Sequence, residues 1–288
     1  METRGSIKTI VLLGIDFMLI YYLFDITISI TIISLMLLYA WLGEYTALIK
    51  YQAVRMDHVN EHCRLKIARS ISMLEKNILE AGGTGIENLK VYVIPSDEIN
   101  AYSFGLHNIA VTQGVLKVSD ELTLNAILAH EISHSQCMDA AFKRIIFTNV
   151  TAIMLGITIF SFAATSFVWG IFLVMCMLGL CGGIVSLFFV SGLSKAVKGV
   201  FRILQYAILF VYQAVLGMVS RKFEYRADMY ACILGYESQM KYFLTTYAAP
   251  QERCQKTLPE VLYASHPPAY KRVMKMEQYV RNSMKAVR

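Results

Sequence analysis

The chain has 288 residues, of which 56% are hydrophobic and only 17% are charged, and its formal net charge is +6. Soluble domains carry about 25% charged residues, so this composition argues against a disordered, collagen-like or coiled-coil chain and against an ordinary soluble globule. The basic residues cluster beside apolar segments, where the positive-inside rule accounts for them without a nucleic-acid partner. We therefore predict an integral membrane protein that binds no nucleic acid.

The first predicted domain is a transmembrane hairpin over residues 1–44. Two apolar segments, about 7–24 and 26–42, are separated by Asp25. Each is near the short limit for a helix that crosses a bilayer, which needs about 20 apolar residues. No small-residue cleavage pattern follows Phe24, which argues against a signal peptide. Basic residues lie on both sides of the hairpin, so both of its ends are predicted to be cytoplasmic.

Residues 45–144 are predicted to form the first part of a water-facing domain. An apolar stripe at helical spacing predicts a helix in its first third. The residues of this stripe are Ile67, Ile71, Leu74 and Ile78. Strands are predicted over 89–94, 101–104 and 108–112, the last two on either side of Gly105. Ser119-Asp120 predicts the start of another helix.

The stretch 145–194 contains no Asp, Glu, Lys or Arg and has basic residues on both sides. Two basic flanks imply an even number of crossings, so we predict a second transmembrane hairpin that turns near Thr165–Gly170. Residues 195–288 then complete the water-facing domain, and their apolar helix 203–219 lies in the interface or packs on the bundle. Alternatively, 145–194 crosses once with its remainder re-entrant, and 203–219 supplies the return.

The sequence His130-Glu131-Ile132-Ser133-His134 is an H-E-x-x-H pattern. On a helix, positions i and i+4 lie on one face, so the two imidazoles can bind one ion, and neutral nitrogens suit Zn²⁺. Glu131 lies about 100° further round the helix, where it can take a proton from a zinc-bound water. The pattern arises by chance in about one such chain in a hundred. The alternative is the exposed face of an ordinary helix.

A third ligand is expected on another element, and Glu224 is the candidate. Asp228 follows one turn later on the same face, where it can accept a hydrogen bond from a ligating imidazole. Alternatively, these acids belong to a helix N-terminus and balance the neighbouring basic residues. Those basic residues are Arg221, Lys222 and Arg226.

Several segments in the same order resemble the HtpX-like membrane metallopeptidases, which are relatives of the CAAX prenyl endopeptidases. The segments are Asn100-Ala101-Tyr102-Ser103, Ile109–Thr112, Gly114–Leu116, Glu121-Leu122, the H-E-x-x-H pattern, Ser220-Arg221, Glu224–Asp228, and Ser265–Pro268 with Arg272. The resemblance covers nearly the whole chain. Ser103 departs from it, because the family usually has Ala there.

The resemblance implies one Zn²⁺ per chain, bound by His130, His134 and Glu224, with Glu131 as the general base. It also implies that His266 and Arg272 lie near the substrate carbonyl and help to hold the oxyanion. An edge strand would pair with an extended substrate backbone. The residues of this strand are Asn100, Ala101, Tyr102 and Ser103.

The fold expected is a mainly α-helical membrane protein whose zincin-like α+β catalytic domain, 45–144 and 195–288, is interrupted by transmembrane helices. We expect a multi-pass zinc endopeptidase of the bacterial inner membrane or plasma membrane that cleaves membrane or misfolded proteins at the cytoplasmic face. Its expected partners are the lipid bilayer and protein or peptide substrates. Two alternatives stay open: a processing peptidase of lipidated or short peptides, and a non-enzymatic metal-binding scaffold. The oligomeric state also stays open.

Overall fold

A computed structural model of the chain describes residues 3–23, 25–83, 85–86, 88–104, 107–180, 183–251 and 266–286. The described residues are mostly helical with one small sheet. The chain divides into two compact units, Met1–Ile145 with Leu216–Arg288 and Ile146–Val215. Gly105 and Ser265, which figured in the sequence predictions, lie outside the described residues.

Nine helices are labelled in chain order among the described residues. They are α1 Thr3–Leu23, α2 Ile26–Lys50, α3 Glu61–Glu80, α4 Gln113–Val118, α5 Glu121–Gln136, α6 Asp139–Met177, α7 Ile184–Ile233, α8 Glu237–Phe243 and α9 Ala269–Ala286. A π-helix, Leu244–Ala248, directly follows α8. The strands are β1 Val54–Arg55, β2 Lys90–Ile94, β3 Ala101–Phe104 and β4 Asn108–Thr112.

The four strands form one sheet in the order β1-β2-β4-β3. β2 and β4 are parallel, whereas β3 runs antiparallel to β4 with Ala101 opposite Val111. β3 therefore lies at an edge of the sheet and has β4 as its strand partner. The predicted strands 101–104 and 108–112 are confirmed, and 89–94 begins one residue later.

The two faces of the sheet pack on different helices, as the alternation of side chains along a strand requires. On one face, Ile109 and Val111 join a core with α3 and α5. On the other face, Ala110 and Phe104 pack with Ala47 and Leu48 at the end of α2. The predicted stripe of α3 is confirmed. Three of its members, Ile67, Leu74 and Ile78, are buried, and Ile71 is partly buried.

Leu74→Ala is expected to lower the free energy of unfolding by about 2–5 kcal/mol, because it leaves a cavity in this core. Leu74 is fully buried, whereas Leu79 on the same helix is 56% exposed. The matched variant Leu79→Ala should therefore change stability by no more than about 0.5 kcal/mol. Thermal unfolding of the two detergent-purified variants tests this, and equal shifts of the midpoint would contradict the assignment of the core.

Three helices of the described residues are long and apolar enough to cross a membrane: Ser29–Lys50, Asp139–Met177 and Ile184–Ile233. The predicted turn near Thr165–Gly170 is wrong, because α6 runs through it unbroken. A single glycine such as Gly170 costs a helix only about 1 kcal/mol. The break comes instead at Gly179 and Gly183, whose φ angles of 71° and 83° are in the left-handed region that ends helices.

The apolar segment 203–219 is helical, as predicted, but it does not form a helix of its own. It forms the middle of α7, which continues through the basic residues that precede the segment. Lys and Arg are good helix formers, so a cluster of them does not interrupt a helix. The basic residues concerned are Lys195, Lys198 and Arg202.

Candidate metal centre

Three buried side chains, all within the first unit, meet at one point. His130 and His134 come from α5 and Glu224 from α7, and one potential ligand atom of each lies within 4.8 Å of the others. The two Nε2 atoms are 3.2 Å apart. His130 Nε2 lies 3.5 Å from one carboxylate oxygen of Glu224, and His134 Nε2 lies 3.4 Å from the other. The sequence prediction therefore named residues that the fold brings together.

The Nδ1 atom of each imidazole contacts a buried carboxylate. His130 Nδ1 lies 3.0 Å from Asp228 Oδ1, and His134 Nδ1 lies 2.8 Å from Asp139 Oδ2. A carboxylate accepts the proton on Nδ1, which fixes the tautomer whose Nε2 carries a lone pair. The two Nε2 atoms then face each other as acceptors. A cation or a proton between them is needed to offset their repulsion.

The spacing of the ligand atoms fits a small divalent metal. Tetrahedral zinc sites with bonds of about 2.0–2.2 Å have neighbouring ligand atoms about 3.3–3.6 Å apart. The two Nε2 atoms are 3.2 Å apart, and each lies 3.4–3.5 Å from a different oxygen of Glu224, so both carboxylate oxygens face the same position as the imidazoles. Glu224 Oε2 lies 3.3 Å from Arg272 Nη1, yet it is buried and has no hydrogen-bond partner among the described residues. It therefore keeps a lone pair for a metal.

Burial and hydrogen bonding change the histidine pKa values in opposite directions. Burial lowers the pKa of His130, but contacts with Asp228 and Glu224 outweigh it and raise the pKa to about 9. Burial also lowers the pKa of His134, and there Asp139 and Glu224 raise it above the ordinary value. The surrounding acids thus favour positive charge at this position, where a metal would compete with protons.

Arg272 and His266 reach the centre from the other side. Arg272 is buried and makes two hydrogen bonds to Asp228, from Nε to Oδ2 at 2.8 Å and from Nη2 to Oδ1 at 2.6 Å. Its guanidinium group is thus paired with the acid that holds His130. The side chain of His266 is 67% exposed, and its Nδ1 lies 3.1 Å from Glu224 Oε1.

A cleft of about 480 Å³ runs along these residues. Its lining includes every predicted site residue except Asp228, which lies behind His130. Glu131 faces the cleft beside the two histidines, and the edge strand β3 forms one wall with Asn100 before it. His130 and His134 are buried, so they do not lie on the exposed face of an ordinary helix. Glu224 lies well inside α7, so it is not an acid of a helix N-terminus.

Asp139 is a site residue that sequence reasoning missed. It follows His134 by five residues, across a turn at Met138 with a φ of 54°. An acid shortly after an H-E-x-x-H pattern is a signal that could have identified it. The apolar wall formed by Ile127, Met240 and Leu244 also lines the cleft, but it carries no comparable signal in the sequence.

Two histidines and a glutamate on one helix, completed by a glutamate from a second helix along a cleft with an edge strand, are typical of metallopeptidases. A model of peptidase family M48 matches residues 67–280, well over half of the chain. The chain belongs to this family. The resemblance to HtpX-like metallopeptidases is confirmed.

Curated relatives that match the chain include several protease HtpX homologs. That of Campylobacter concisus (strain 13826) is 31% identical over 111 residues, which are 37% of this chain and 34% of the relative. That of Dictyoglomus thermophilum (strain ATCC 35947 / DSM 3960 / H-6-12) is 26% identical over 141 residues, 47% of this chain and 42% of the relative. The matched part thus spans less than half of either relative.

Proposed function

We propose that the protein is an integral membrane zinc-dependent endopeptidase that hydrolyses peptide bonds of membrane or misfolded proteins at the cytoplasmic face. One observation carries the proposal. Two imidazoles, each oriented by a buried carboxylate, direct their Nε2 atoms toward each other beside Glu224, and Glu131 lies next to them in the cleft. Family membership supports a peptidase.

His130, His134 and Glu224 would hold one zinc ion per chain, since two nitrogens and a carboxylate oxygen match a catalytic zinc site that keeps a position open. Zinc lowers the pKa of a bound water toward about 7 and polarises carbonyl groups. Asp228 and Asp139 keep the imidazoles in the tautomer that can ligate. Arg272 in turn fixes Asp228 through two hydrogen bonds.

Glu131 is proposed as the general base and acid. Its carboxylate faces the cleft, so it can take a proton from the attacking water and later pass it to the leaving amine. A scaffold that only binds metal does not require this residue. Glu131 therefore favours the enzyme over the non-enzymatic alternative.

The substrate is proposed to bind along β3 in an extended conformation. β3 lies at the edge of its sheet, so its outer backbone groups can pair with a peptide. Asn100 and the β3 residues Ala101, Tyr102 and Ser103 line the cleft. His266 is exposed there and is the better-placed donor for the oxyanion, while Arg272 stabilises the same region through its charge.

The membrane assignment is supported by the three long apolar helices. Because α6 and α7 are each uninterrupted, we propose that α6 crosses the bilayer and α7 returns, in place of a hairpin within 145–194. Lys143 and Arg144 precede this region and Arg221 and Lys222 follow it, so the positive-inside rule supports a cytoplasmic location for both flanks and for the candidate metal centre. In this topology the basic residues of the first half of α7 no longer form a cytoplasmic flank, because they precede the returning segment 203–219.

Metal removal tests the proposed function. Detergent-purified protein is expected to contain about one zinc per chain and to hydrolyse casein, since the two imidazoles and Glu224 form one site. Treatment with a chelator should abolish hydrolysis, and stoichiometric zinc should restore it. Full hydrolysis by protein shown to be metal-free, or no hydrolysis by zinc-loaded protein, would contradict the assignment.

A further inference from the structure

Asp139 is held by two cations that come from different parts of the chain. It is 1% exposed, and its Oδ2 faces His134 and also contacts Arg226 Nη2. Its other oxygen, Oδ1, accepts a hydrogen bond of 2.5 Å from Lys8 Nζ. The carboxylate is therefore fixed at both oxygens, and Lys8 is the partner at Oδ1.

Lys8 also contacts the segment that carries Glu224. Its Nζ lies 3.7 Å from the ring centroid of Phe223, which immediately precedes Glu224 on α7. It lies 5.1 Å from the ring centroid of Phe142 on α6. An ammonium group within about 6 Å of an aromatic face is attracted by the ring. One side chain of α1 thus contacts both α6, which carries Asp139, and α7, which carries Glu224.

The orientation of the His134 ring depends on how the carboxylate of Asp139 is held. Arg226 contacts the same oxygen of Asp139 that accepts from His134 Nδ1. Without a cation at Oδ1, the carboxylate can rotate toward Arg226 and weaken its hold on the imidazole. Lys8 opposes this rotation, because it holds Oδ1 from α1 while Arg226 contacts Oδ2 from α7.

We propose that Lys8 is a positioning residue of the metal centre, acting through Asp139 on the orientation of His134. The inference rests on the proposed metal centre and adds the apolar helix α1 to it. A charged side chain on a helix this apolar is costly unless it is paired. Lys8 is 22% exposed in its side chain and finds its partner in Asp139.

Cobalt(II) binding to the full-length protein in detergent tests the proposal without relying on hydrolysis. Lys8→Met should weaken cobalt affinity about 10-fold, the low end of what loss of an outer contact costs, and should alter the visible absorption that reports ligand geometry. Lys8→Arg should restore most of both. The control Lys76→Met replaces a lysine that is 74% exposed in its side chain, and it should bind cobalt like the wild type.

A double-variant comparison separates positioning from a general effect on stability. If Lys8 acts through Asp139, Lys8→Met combined with Asp139→Asn should bind cobalt no more weakly than Asp139→Asn alone. If Lys8→Met does not fold, Lys8→Gln replaces it and the same comparison applies. Wild-type affinity and spectrum in the folded variant, or additive losses, would overturn the role of Lys8. Absence of cobalt binding in the wild type would overturn the metal centre itself.

Discussion

Glu131→Gln is expected to reduce casein hydrolysis by about 10²–10⁴-fold, the usual contribution of a general acid-base group. The amide has nearly the same size as the carboxylate but cannot accept the proton of the attacking water. Zinc content should stay at the wild-type level, because Glu131 is not among the three side chains that converge on the metal position. Rates of hydrolysis and zinc analysis on the same preparation measure both quantities.

The matched control is Glu121→Gln in the first turn of the same helix. Glu121 is exposed and begins α5 directly after its cap, Asp120, so the substitution changes charge without touching the cleft. It should leave hydrolysis near the wild-type rate. It should lower the stability by only about 0.3–1 kcal/mol, because a negative charge at the helix N-terminus is lost. Equal activity of Glu131→Gln and the wild type would refute the role of Glu131.

The residues of the candidate site were predictable to the extent that helical spacing brings them together. His130 and His134 lie four residues apart, as do Glu224 and Asp228, so local geometry alone places each pair on one helix face. That the two pairs meet was predicted from the need for a third ligand, with a helix N-terminus as the alternative, and the family resemblance then implied the same ligands. The contact between Lys8 and Asp139 was not predictable, because it depends on how α1 packs against the start of α6.

The strands and helix starts were predictable for a similar reason. Alternation marks β2, and the capping side chain of Asp120 accepts a hydrogen bond from the backbone N–H of Thr123, as its position suggested. The turn between the long helices was misplaced because an uncharged apolar sequence contains no period that shows where a helix ends. Left-handed glycine conformations decide this. The pair Gly182-Gly183 close to Gly179 is a turn signal that Gly170 lacks, and the prediction did not use it.

Glu224→Gln is expected to remove the metal together with the activity. The amide lacks the negative charge that faces the two imidazoles, and its NH₂ group can point a donor at the metal position. Loss of an outer-shell contact alone costs about 10–100-fold in metal affinity, so loss of a ligand should cost more than about 100-fold. The variant should still fold, because Arg272 keeps its two hydrogen bonds to Asp228.

Comparison with Glu131→Gln makes this prediction specific, since both variants replace a buried glutamate of the same cleft by its amide. Zinc titration should restore part of the hydrolysis to Glu224→Gln, whose defect lies in affinity. It should restore none to Glu131→Gln, whose defect lies in proton transfer. Thermal unfolding of the metal-free variants checks that both remain folded. If Glu224→Gln binds zinc as tightly as the wild type, Glu224 is not a ligand, and the proposed metal centre must be abandoned.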